Sequence, residues 1–347
     1  MLCIASLYSY RYKEPPQQAI RLHLNECLYP LPDIIVENIS KVLRNCNLYP
    51  SEVMFTRFRE LIAEYVKVDV DNVYPFAGGD SALRTIFYTL INSGDKVMYV
   101  EPTFVMVKVY AKNRKVKELV VESREGDEWW ITPLDTLLEK SKNVDTAIII
   151  DPNNPTGSPI VKAKKDIVDL LSKSVRKYIV FDEAYHEFAG YTVANYISDY
   201  PNIVVVRSLS KAFCLAGFRL GYVIASKDII AKISSVHTPF DIPTPSIAAG
   251  ITALENIKYM KDMVNEVKTV RELMYEKLKS MGFKVYRSLA NFLLIKDKRD
   301  LQEVLSRHYI YIKKIGEDLY RITVPPMNIY DYVIKYLGKS CEDSYTK

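Results

Sequence analysis

Between about residues 50 and 235, segments with a helical hydrophobic pattern alternate with short apolar runs. Phe58, Leu61, Ile62 and Tyr65 have the i, i+3, i+4, i+7 spacing of an amphipathic helix. The apolar runs are rich in Val, Ile and Tyr, and they predict buried strands at 96–100, 116–121, 146–150, 178–181, 203–206 and 220–225. Continuous apolar strands separated by helices predict an α/β fold with a mainly parallel sheet that is covered on both faces.

The C-terminal part of the chain has a different pattern. Residues 246–281 are compatible with a long helix that ends at Gly282. Beyond it the pattern predicts a smaller α/β layer, with strands at 283–286, 292–295, 310–313 and 319–324 and helices at 301–309 and from residue 330. The proline-dense segment 238–245 separates the two patterns. We therefore expect an N-terminal arm (1–29), a large domain (30–238) and a small C-terminal domain (239–347).

The overall composition is that of an ordinary globular protein, with 48% hydrophobic and 26% charged residues. The net charge is +5 and the sequence contains no dense basic tract, so we expect no binding to nucleic acid. No apolar run approaches the length of about 18 residues that a membrane span needs. The N-terminus also lacks the basic region of a signal peptide. These features favour a cytoplasmic protein.

Cysteine and histidine usage gives no sign of a cross-linked or metal-binding protein. The five cysteines are odd in number and scattered, and none forms a C-x-x-C pair: Cys3, Cys27, Cys46, Cys214 and Cys341. This pattern predicts no disulfide framework and favours a reducing cytosol. The four histidines are isolated, so we expect no metal site.

The segment 207–221 carries the chemistry that stands out most. Ser208, Ser210, Lys211 and Arg219 lie within it, where a predicted strand leads into a loop that contains glycine. A lysine can form a Schiff base with an aldehyde, and hydroxyls with a guanidinium can hold a phosphate. Pyridoxal phosphate carries an aldehyde and a phosphate, so its binding needs both the lysine and the phosphate-binding residues. The segment also matches the S-x-x-K signature of serine acyl-transferases, but the S-D-N and K-T-G partners of that signature are absent from the sequence.

Polar residues follow two other predicted strands. Asp182 comes directly after the run 178–181, at the carboxyl end where ligand sites open in parallel sheets. A carboxylate there can pair with a protonated pyridine nitrogen, although an aspartate that caps a helix is the alternative. Tyr185 can donate to the phenolic oxygen of the same ring. Asn154 lies in the rigid turn 151–157 after another strand and is a second candidate for that oxygen.

A glycine turn precedes the helical pattern at 82–90. Gly78, Gly79, Asp80 and Ser81 lead into it, and free N–H groups at a helix N-terminus favour a phosphate. The turn is neither G-x-G-x-x-G nor a Walker sequence, so a dinucleotide or nucleoside triphosphate site is not supported. The chain has only 12 glycines, and several of them lie in these candidate cofactor segments.

Taken in order along the chain, these motifs resemble those of fold-type I pyridoxal-phosphate-dependent aminotransferases of class I/II, and most closely the histidinol-phosphate aminotransferases. The resemblance extends from about residue 24 to residue 324 and includes 24–26, 48–50, 58–61, 79–80, 101–104, 154–157, 182–185, 208–211 and 321–324. It implies a large domain with a mainly parallel seven-stranded sheet flanked by helices, and a smaller α/β C-terminal domain.

The resemblance also implies roles for individual residues around pyridoxal 5′-phosphate. Lys211 would hold the cofactor and move a proton between the substrate Cα and C4′. Asp182 would pair with the pyridine nitrogen, while Asn154 and Tyr185 would bind the ring oxygen. Phe104 would stack on the ring. The phosphate would be held by Gly79, Asp80, Ser81, Ser208, Ser210 and Arg219.

Further residues of the resemblance concern the substrate and a second subunit. Arg321 matches an arginine that binds the substrate carboxylate as a bidentate pair. Asn25, Lys313 and Arg21 would lie on the substrate side, with Arg21 and Lys313 available to a substrate phosphate. Tyr49 matches a tyrosine that reaches the cofactor phosphate of the neighbouring subunit. The resemblance therefore implies a homodimer with shared active sites.

Four departures from the family pattern concern the substrate more than the cofactor. Ser81 stands where Glu is common, Cys27 where Asn is expected, Lys313 where an Arg is usual and Pro325 where Gly follows Arg-Ile-Thr-Val. A lysine still binds phosphate, but as a point charge without the planar fork of arginine. These changes weaken the assignment of histidinol phosphate as the substrate.

The function expected from the sequence is transfer of an amino group between glutamate or 2-oxoglutarate and histidinol phosphate or a related amino substrate. The alternatives of the same fold are an aromatic amino acid aminotransferase and an enzyme like the threonine-phosphate decarboxylases, although the sequence after Lys211 follows the aminotransferase pattern. A non-catalytic regulator with a DNA-binding helix-turn-helix is a third possibility. The residues before the first helix are not patterned for such a motif.

Overall fold

A computed structural model describes residues 14–238 and 240–342, with side chains up to residue 338 apart from residue 239. The first 13 residues of the predicted arm and the side chains of Cys3 and Cys341 lie outside the described residues. The described strands are β1 (Ile20–Arg21), β2 (Val73–Phe76), β3 (Lys96–Glu101), β4 (Lys117–Glu122), β5 (Arg124–Glu125), β6 (Trp130–Ile131), β7 (Thr146–Ile150), β8 (Tyr178–Asp182), β9 (Ile203–Ser208), β10 (Gly221–Ala225), β11 (Lys284–Tyr286), β12 (Phe292–Lys296), β13 (Ile310–Tyr311), β14 (Lys313–Lys314) and β15 (Leu319–Thr323).

The α-helices alternate with the strands of the first two thirds of the chain and then dominate the last third. They are α1 (Asp33–Val42), α2 (Glu52–Val66), α3 (Gly79–Leu90), α4 (Val105–Arg114), α5 (Leu134–Ser141), α6 (Lys165–Ser174), α7 (His186–Ala189), α8 (Lys227–Ser234), α9 (Thr244–Glu255), α10 (Lys258–Ser280), α11 (Leu301–Ser306) and α12 (Met327–Glu342). Short 3-10 helices lie at Leu43–Asn45, Val70–Asn72, Ala194–Tyr196 and Ala216–Phe218.

The large sheet of the described chain has seven strands in the order β2-β10-β9-β8-β7-β3-β4, and β10 alone among them runs against the others. Alternate residues of β7 explain why its sequence is apolar throughout. Ile148 and Ile150 pack into a core with α3, α4 and α8, whereas Ala147 and Ile149 pack into a core with α2, α6 and α9. The predicted α/β fold, with a mainly parallel sheet covered on both faces, is confirmed.

The sequence pattern missed one strand of this sheet. β2 is only four residues long and contains Pro75, which cannot donate a hydrogen bond to a neighbouring strand. The proline is tolerated because β2 lies at the edge of the sheet, where one side of the strand needs no partner.

A second, antiparallel sheet follows with the order β11-β12-β15-β14. Its core includes Leu293 of β12, Met274 and Leu278 of α10, and Leu337 of α12. The predicted long helix at 246–281 is two helices, α9 and α10, interrupted at Asn256 and Ile257. The predicted helix at 301–309 already ends at Ser306, and the predicted strand at 310–313 is divided between β13 and β14.

The arm leads from the second sheet towards the first. β1 pairs in parallel with β13, and the Thr323 backbone N–H at the end of β15 donates to the Leu22 carbonyl over 2.9 Å. Residues 23–27 then contact Thr323 of β15 and two residues that follow strands of the large sheet, Tyr185 after β8 and Lys211 after β9. None of the described helices is both long and apolar enough to cross a bilayer.

Candidate active site

The carboxyl ends of three neighbouring parallel strands meet at one edge of the large sheet. Asp182 is the last residue of β8, and it lies in register between Ile150 of β7 and Val206 of β9. Ser208 ends β9, and the turn that contains Asn154 follows β7. Because parallel strands end at a common edge, the three candidate segments are brought together as the sequence predicted.

The start of α3 forms a cradle at this edge. Gly78 has a φ of +92°, and a Cβ atom there would come within 2.7 Å of Nη2 of Arg219. A Cβ atom on Gly221 would collide with the backbone of Gly78 and Gly79. Only glycine allows this close approach.

The cradle brings together several hydrogen-bond donors. In the described structure no side chain caps the N-terminus of α3, so its first N–H groups can bind an anion. The Ser208 hydroxyl accepts from the backbone N–H of Ser210 over 3.1 Å, which holds the two hydroxyl residues next to each other. With Arg219 above Gly78, this donor set fits a phosphate group.

Two other predicted phosphate residues have different surroundings. The carboxylate of Asp80 accepts a hydrogen bond from the Tyr110 hydroxyl over 2.9 Å. Ser81 is buried in the first turn of α3, and its carbonyl accepts from the Thr85 hydroxyl. Their backbone N–H groups belong to the N-terminal turn of α3, so the backbone is the part that can serve an anion.

The side chain of Lys211 is held by a backbone carbonyl of the arm. Its Nζ donates to the Leu24 carbonyl over 3.0 Å. Burial lowers the pKa of Lys211 to about 8, and the nearby positive charge of Arg321 adds to the effect. A lysine with a pKa close to neutrality provides an appreciable fraction of uncharged amine, which is the form that attacks a carbonyl.

We therefore expect Lys211 to be acylated selectively in the cofactor-free protein. At pH 8 about half of Lys211 is uncharged, whereas a surface lysine with an ordinary pKa of about 10.4 is less than about 1% uncharged. Brief treatment with acetic anhydride, followed by peptide mass spectrometry, should label Lys211 first, and its labelling should rise as the pH passes through about 8. Labelling no faster than that of exposed Lys258 would contradict the lowered pKa.

Asp182 is buried and its Oδ1 accepts from the Ala184 backbone N–H over 3.0 Å. Burial raises its pKa to about 6, and the negative charges of Asp80 and Glu183 act in the same direction. A cation placed next to Asp182 would stabilise its ionised form. The carboxylate therefore suits a protonated pyridine nitrogen.

The neighbouring Glu183 has a different partner. It forms a buried ion pair with Arg207 at 3.0 Å, and its Oε1 also accepts from the Val193 backbone N–H over 2.6 Å. The sequence pattern does not predict this pair, because residues 183 and 207 belong to separate motifs. The pair anchors the loop that begins at Asp182, which fixes the direction of the Asp182 side chain.

Tyr185, Asn154 and Arg321 form one hydrogen-bonded network with Asn25. The Tyr185 hydroxyl accepts from Nδ2 of Asn25 over 2.9 Å and from Nδ2 of Asn154 over 3.5 Å. Nη1 of Arg321 donates to Oδ1 of Asn154 over 2.5 Å, and Nη2 donates to the His23 carbonyl over 2.8 Å. The network fixes the guanidinium and the phenol relative to each other, although their motifs are far apart in the sequence.

Further basic residues lie next to Arg321. Lys313 of β14 is in register with Arg321 on the neighbouring strand β15. Arg21, His23 and Lys313 contribute to the wall of a cavity of about 1310 Å³. Burial and these positive charges lower the pKa of His23 to about 4. The guanidinium of Arg21 also forms a bidentate ion pair with Glu26, at 2.8 and 3.0 Å.

Two predicted residues lie apart from this network. Phe104 precedes the first residue of α4 and packs against the core on the α3 side of the sheet. Tyr49 is 76% exposed, and its ring stacks on Phe240 with centroids 4.4 Å apart.

The prediction about the cysteines is wrong for one pair. Cys27 of the arm and Cys214 of the lysine loop form a disulfide across 187 residues of sequence. Cysteine count and spacing gave no sign of it, because the fold alone brings the two residues together. Leu24 and Asn291 were also missed; Asn291 donates to the Asn25 carbonyl over 3.2 Å.

Comparison with known proteins identifies the family. The sequence profile described as "Aminotransferase class I and II" matches residues 17–337. The chain belongs to this family. The aminotransferase is 46% identical over 328 residues to the histidinol-phosphate aminotransferase of Sulfurisphaera tokodaii, which covers 94% of this chain and 92% of the relative. It is 33% identical to the enzyme of the same name from Thermoanaerobacter pseudethanolicus, over 94% and 92% of the two chains.

Solved structures have the same fold as the aminotransferase. The histidinol-phosphate aminotransferase from Sinorhizobium meliloti, in complex with pyridoxal 5′-phosphate, superposes with a TM-score of 0.84 at 20% identity, over 94% of this chain and 91% of that one. The enzyme from Clostridium acetobutylicum gives 0.83 at 23% identity, over 93% and 99%. The family resemblance predicted from the motifs is confirmed, and the chain is a pyridoxal-phosphate-dependent aminotransferase.

Proposed function

We propose that the aminotransferase moves an amino group between glutamate or 2-oxoglutarate and histidinol phosphate. The observation that carries the proposal is the pair of cations at the substrate end of the site. Arg321 is fixed by Asn154 and the His23 carbonyl, and Lys313 lies in register beside it. Such a pair suits the carboxylate of one substrate and the phosphate of the other. The names of the similar enzymes support the same substrate.

The residues at the sheet edge would hold the cofactor between them. The start of α3, Ser208, Ser210 and Arg219 would bind its phosphate, and Asp182 would face its ring nitrogen. When bound, pyridoxal phosphate supplies an aldehyde for the amino group and a ring that withdraws electrons from the substrate Cα.

The protein residues would then bind, orient and move protons. Lys211 would carry the cofactor and, once released by the substrate, transfer the proton of the substrate Cα. The Leu24 carbonyl would keep the freed amine pointing into the site. Tyr185, held by Asn25 and Asn154, would donate to the ring oxygen. Phe104 would pack on the ring from the α4 side.

The substrate can be tested with amino donors that differ in one group. The visible absorbance of the cofactor-loaded protein is followed while glutamate, histidinol phosphate or unphosphorylated histidinol is added. We expect glutamate and histidinol phosphate to bleach it, and histidinol to need a concentration about 10- to 150-fold higher, because a charge-assisted contact contributes about 1.5–3 kcal/mol. Lys313→Ala should narrow the difference between histidinol phosphate and histidinol. Equal efficiency of the two donors would contradict a phosphate site.

The variant Arg321→Ala tests whether Arg321 binds the carboxylate of the substrate. We expect the KM for glutamate to rise about 10- to 150-fold, with a much smaller change in the Kd of the cofactor. Arg307→Ala, at the exposed residue that directly follows α11, should leave both values unchanged. An unchanged KM for glutamate in Arg321→Ala would move the carboxylate site elsewhere.

The proposal includes a homodimer. Leu48, Tyr49, Val53, Val236 and Phe240 are exposed large apolar residues, and the contact between Tyr49 and Phe240 joins the two segments into one apolar patch. Val53 is 78% exposed and Tyr49 is 76% exposed. Exposed apolar patches of this kind mark protein–protein contacts. A second copy that covers this patch would bring Tyr49 towards the partner's cofactor phosphate.

Charge placed in this patch should therefore separate the subunits. The native protein is expected to have twice the chain mass of 39.9 kDa in light scattering, and Val53→Glu should shift it to the mass of one chain. Leu273→Glu, at an exposed position on α10, is the matched control and should stay a dimer. A Val53→Glu protein with the mass and cofactor affinity of the native protein would rule out the patch as the interface.

Two further parts of the proposal depend on sequence patterns. The division into an arm (1–29), a large cofactor-binding domain (30–238) and a small domain (239–347) is supported by the two separate sheets on either side of the proline-dense segment. The cytoplasmic location stays a prediction. Because Cys27 and Cys214 form a disulfide, the cysteine pattern no longer supports this location.

A further inference from the structure

A covalent bond joins two segments that meet at the reacting lysine. Cys27 lies at the end of the arm, and Cys214 lies three residues after Lys211 in the lysine loop. The Cα atoms of the two cysteines are 5.0 Å apart, within the usual range for a disulfide. Both residues are only half-buried. The bond therefore joins the arm to the lysine loop at residues that are partly exposed to solvent.

The arm segment next to this bond contacts two residues of the site. The Leu24 carbonyl accepts from Nζ of Lys211 over 3.0 Å, and Nδ2 of Asn25 donates to the Tyr185 hydroxyl over 2.9 Å. Asn25 has a φ of +54°, in the left-handed region that asparagine adopts more readily than most other residues with a side chain. Both contacts depend on the exact course of the arm.

The part of the arm that surrounds Asn25 is held on both sides. Upstream, β1 pairs with β13, and the Leu22 carbonyl accepts from the Thr323 backbone N–H over 2.9 Å. Downstream of Asn25, the disulfide ties the arm to the loop that carries Lys211. On the loop side, the Cys214 backbone N–H donates to the Lys211 carbonyl over 3.3 Å. The disulfide thus links the two sides of the Leu24–Lys211 contact.

We infer that the Cys27–Cys214 disulfide is a positioning element of the active site. It holds residues 24–26 against Lys211 and Tyr185, and its reduction loosens both contacts. Reduction by a dithiol moves two electrons and two protons to the protein: each cysteine sulfur becomes a thiol, and the dithiol closes into its own cyclic disulfide. The inference rests on the role proposed above for Lys211.

The first measurement does not depend on activity. Peptide mass mapping of the protein without reductant should recover Cys27 and Cys214 in one cross-linked peptide pair. Hydrogen exchange of the cofactor-free protein is then compared before and after treatment with dithiothreitol. We expect the amides of residues 22–28 to exchange at least about 10-fold faster after reduction, because local opening becomes easier. Two free thiols at these positions, or unchanged exchange in the arm, would overturn the inference.

The second measurement separates positioning from general stabilisation. In a single turnover with glutamate, reduction should slow the bleaching step about 3- to 10-fold, the size expected for one hydrogen bond. It should also shift the pH at which the visible absorbance of the bound cofactor changes, because Tyr185 and Lys211 face the cofactor. A lower Tm with an unchanged bleaching rate and an unchanged absorbance titration would leave the disulfide a purely structural role and overturn the inference.

Cysteine variants provide the controls. The double variant Cys27→Ser/Cys214→Ser should behave like the reduced protein and no longer respond to dithiothreitol. Cys46→Ser, which removes an exposed free thiol, should respond like the native protein. If borohydride fixes the cofactor to a residue other than Lys211, the proposed function fails, but the hydrogen exchange still reports whether the disulfide holds the arm.

Discussion

Replacing Lys211 by alanine is expected to lower turnover by more than about 10⁴-fold, because one residue would lose two tasks. A side chain that carries the cofactor gives covalent catalysis, and a positioned acid–base group alone contributes about 10²–10⁴-fold. The fold should survive, since the methyl group of alanine fits the half-buried site and the change removes a buried amine that is costly to charge.

The measurement combines kinetics with a chemical trap. Borohydride reduction should fix the cofactor to the peptide that contains Lys211 in the native protein and to no peptide in Lys211→Ala. Lys227→Ala, at an exposed lysine of α8 that pairs with Asp69 and Asp71, is the matched control and should keep both turnover and attachment. Turnover retained in Lys211→Ala would refute the role of this lysine.

Much of this site could be predicted because its residues follow apolar strands. Asp182, Ser208 and Asn154 each come at or just after the end of a strand in the sequence, and neighbouring parallel strands end at one edge. Gly221 could be singled out for a related reason: a chain with few glycines keeps one where two backbone segments touch. Local pattern and sheet geometry are enough to bring these groups together.

The contribution of the arm could not be predicted in the same way. The contact between Leu24 and Lys211 uses a backbone carbonyl. Every residue type provides this group, so the identity of residue 24 does not predict the contact. Cys27 and Cys214 are two of five scattered cysteines, and their pairing follows only once β1 is placed beside β13. These features depend on tertiary contacts between distant segments.

Replacing Asp182 by asparagine is expected to lower turnover by about 10²–10³-fold while leaving the cofactor attached to Lys211. The substitution keeps the size of the side chain and removes its charge. Catalytic stabilisation of developing charge by one fixed group is commonly of this magnitude. A ring nitrogen without an anionic partner loses its proton more easily, so the ring withdraws electrons from the substrate less strongly.

The pKa of Asp182 also predicts how the affinity for the cofactor changes with pH. Burial raises the pKa of Asp182 to about 6 in the cofactor-free protein, so protonation below that pH removes the charge that attracts the ring nitrogen. Cofactor affinity of the native protein should therefore rise as the pH increases up to about 6. In Asp182→Asn the rise should be smaller, because only the cofactor phosphate, which also ionises at about pH 6, still contributes to it. Asp166→Asn, at an exposed position in the first turn of α6, should keep the native profile. Native turnover in Asp182→Asn, or an unchanged pH profile of cofactor affinity, would show that Asp182 is not the partner of the ring nitrogen.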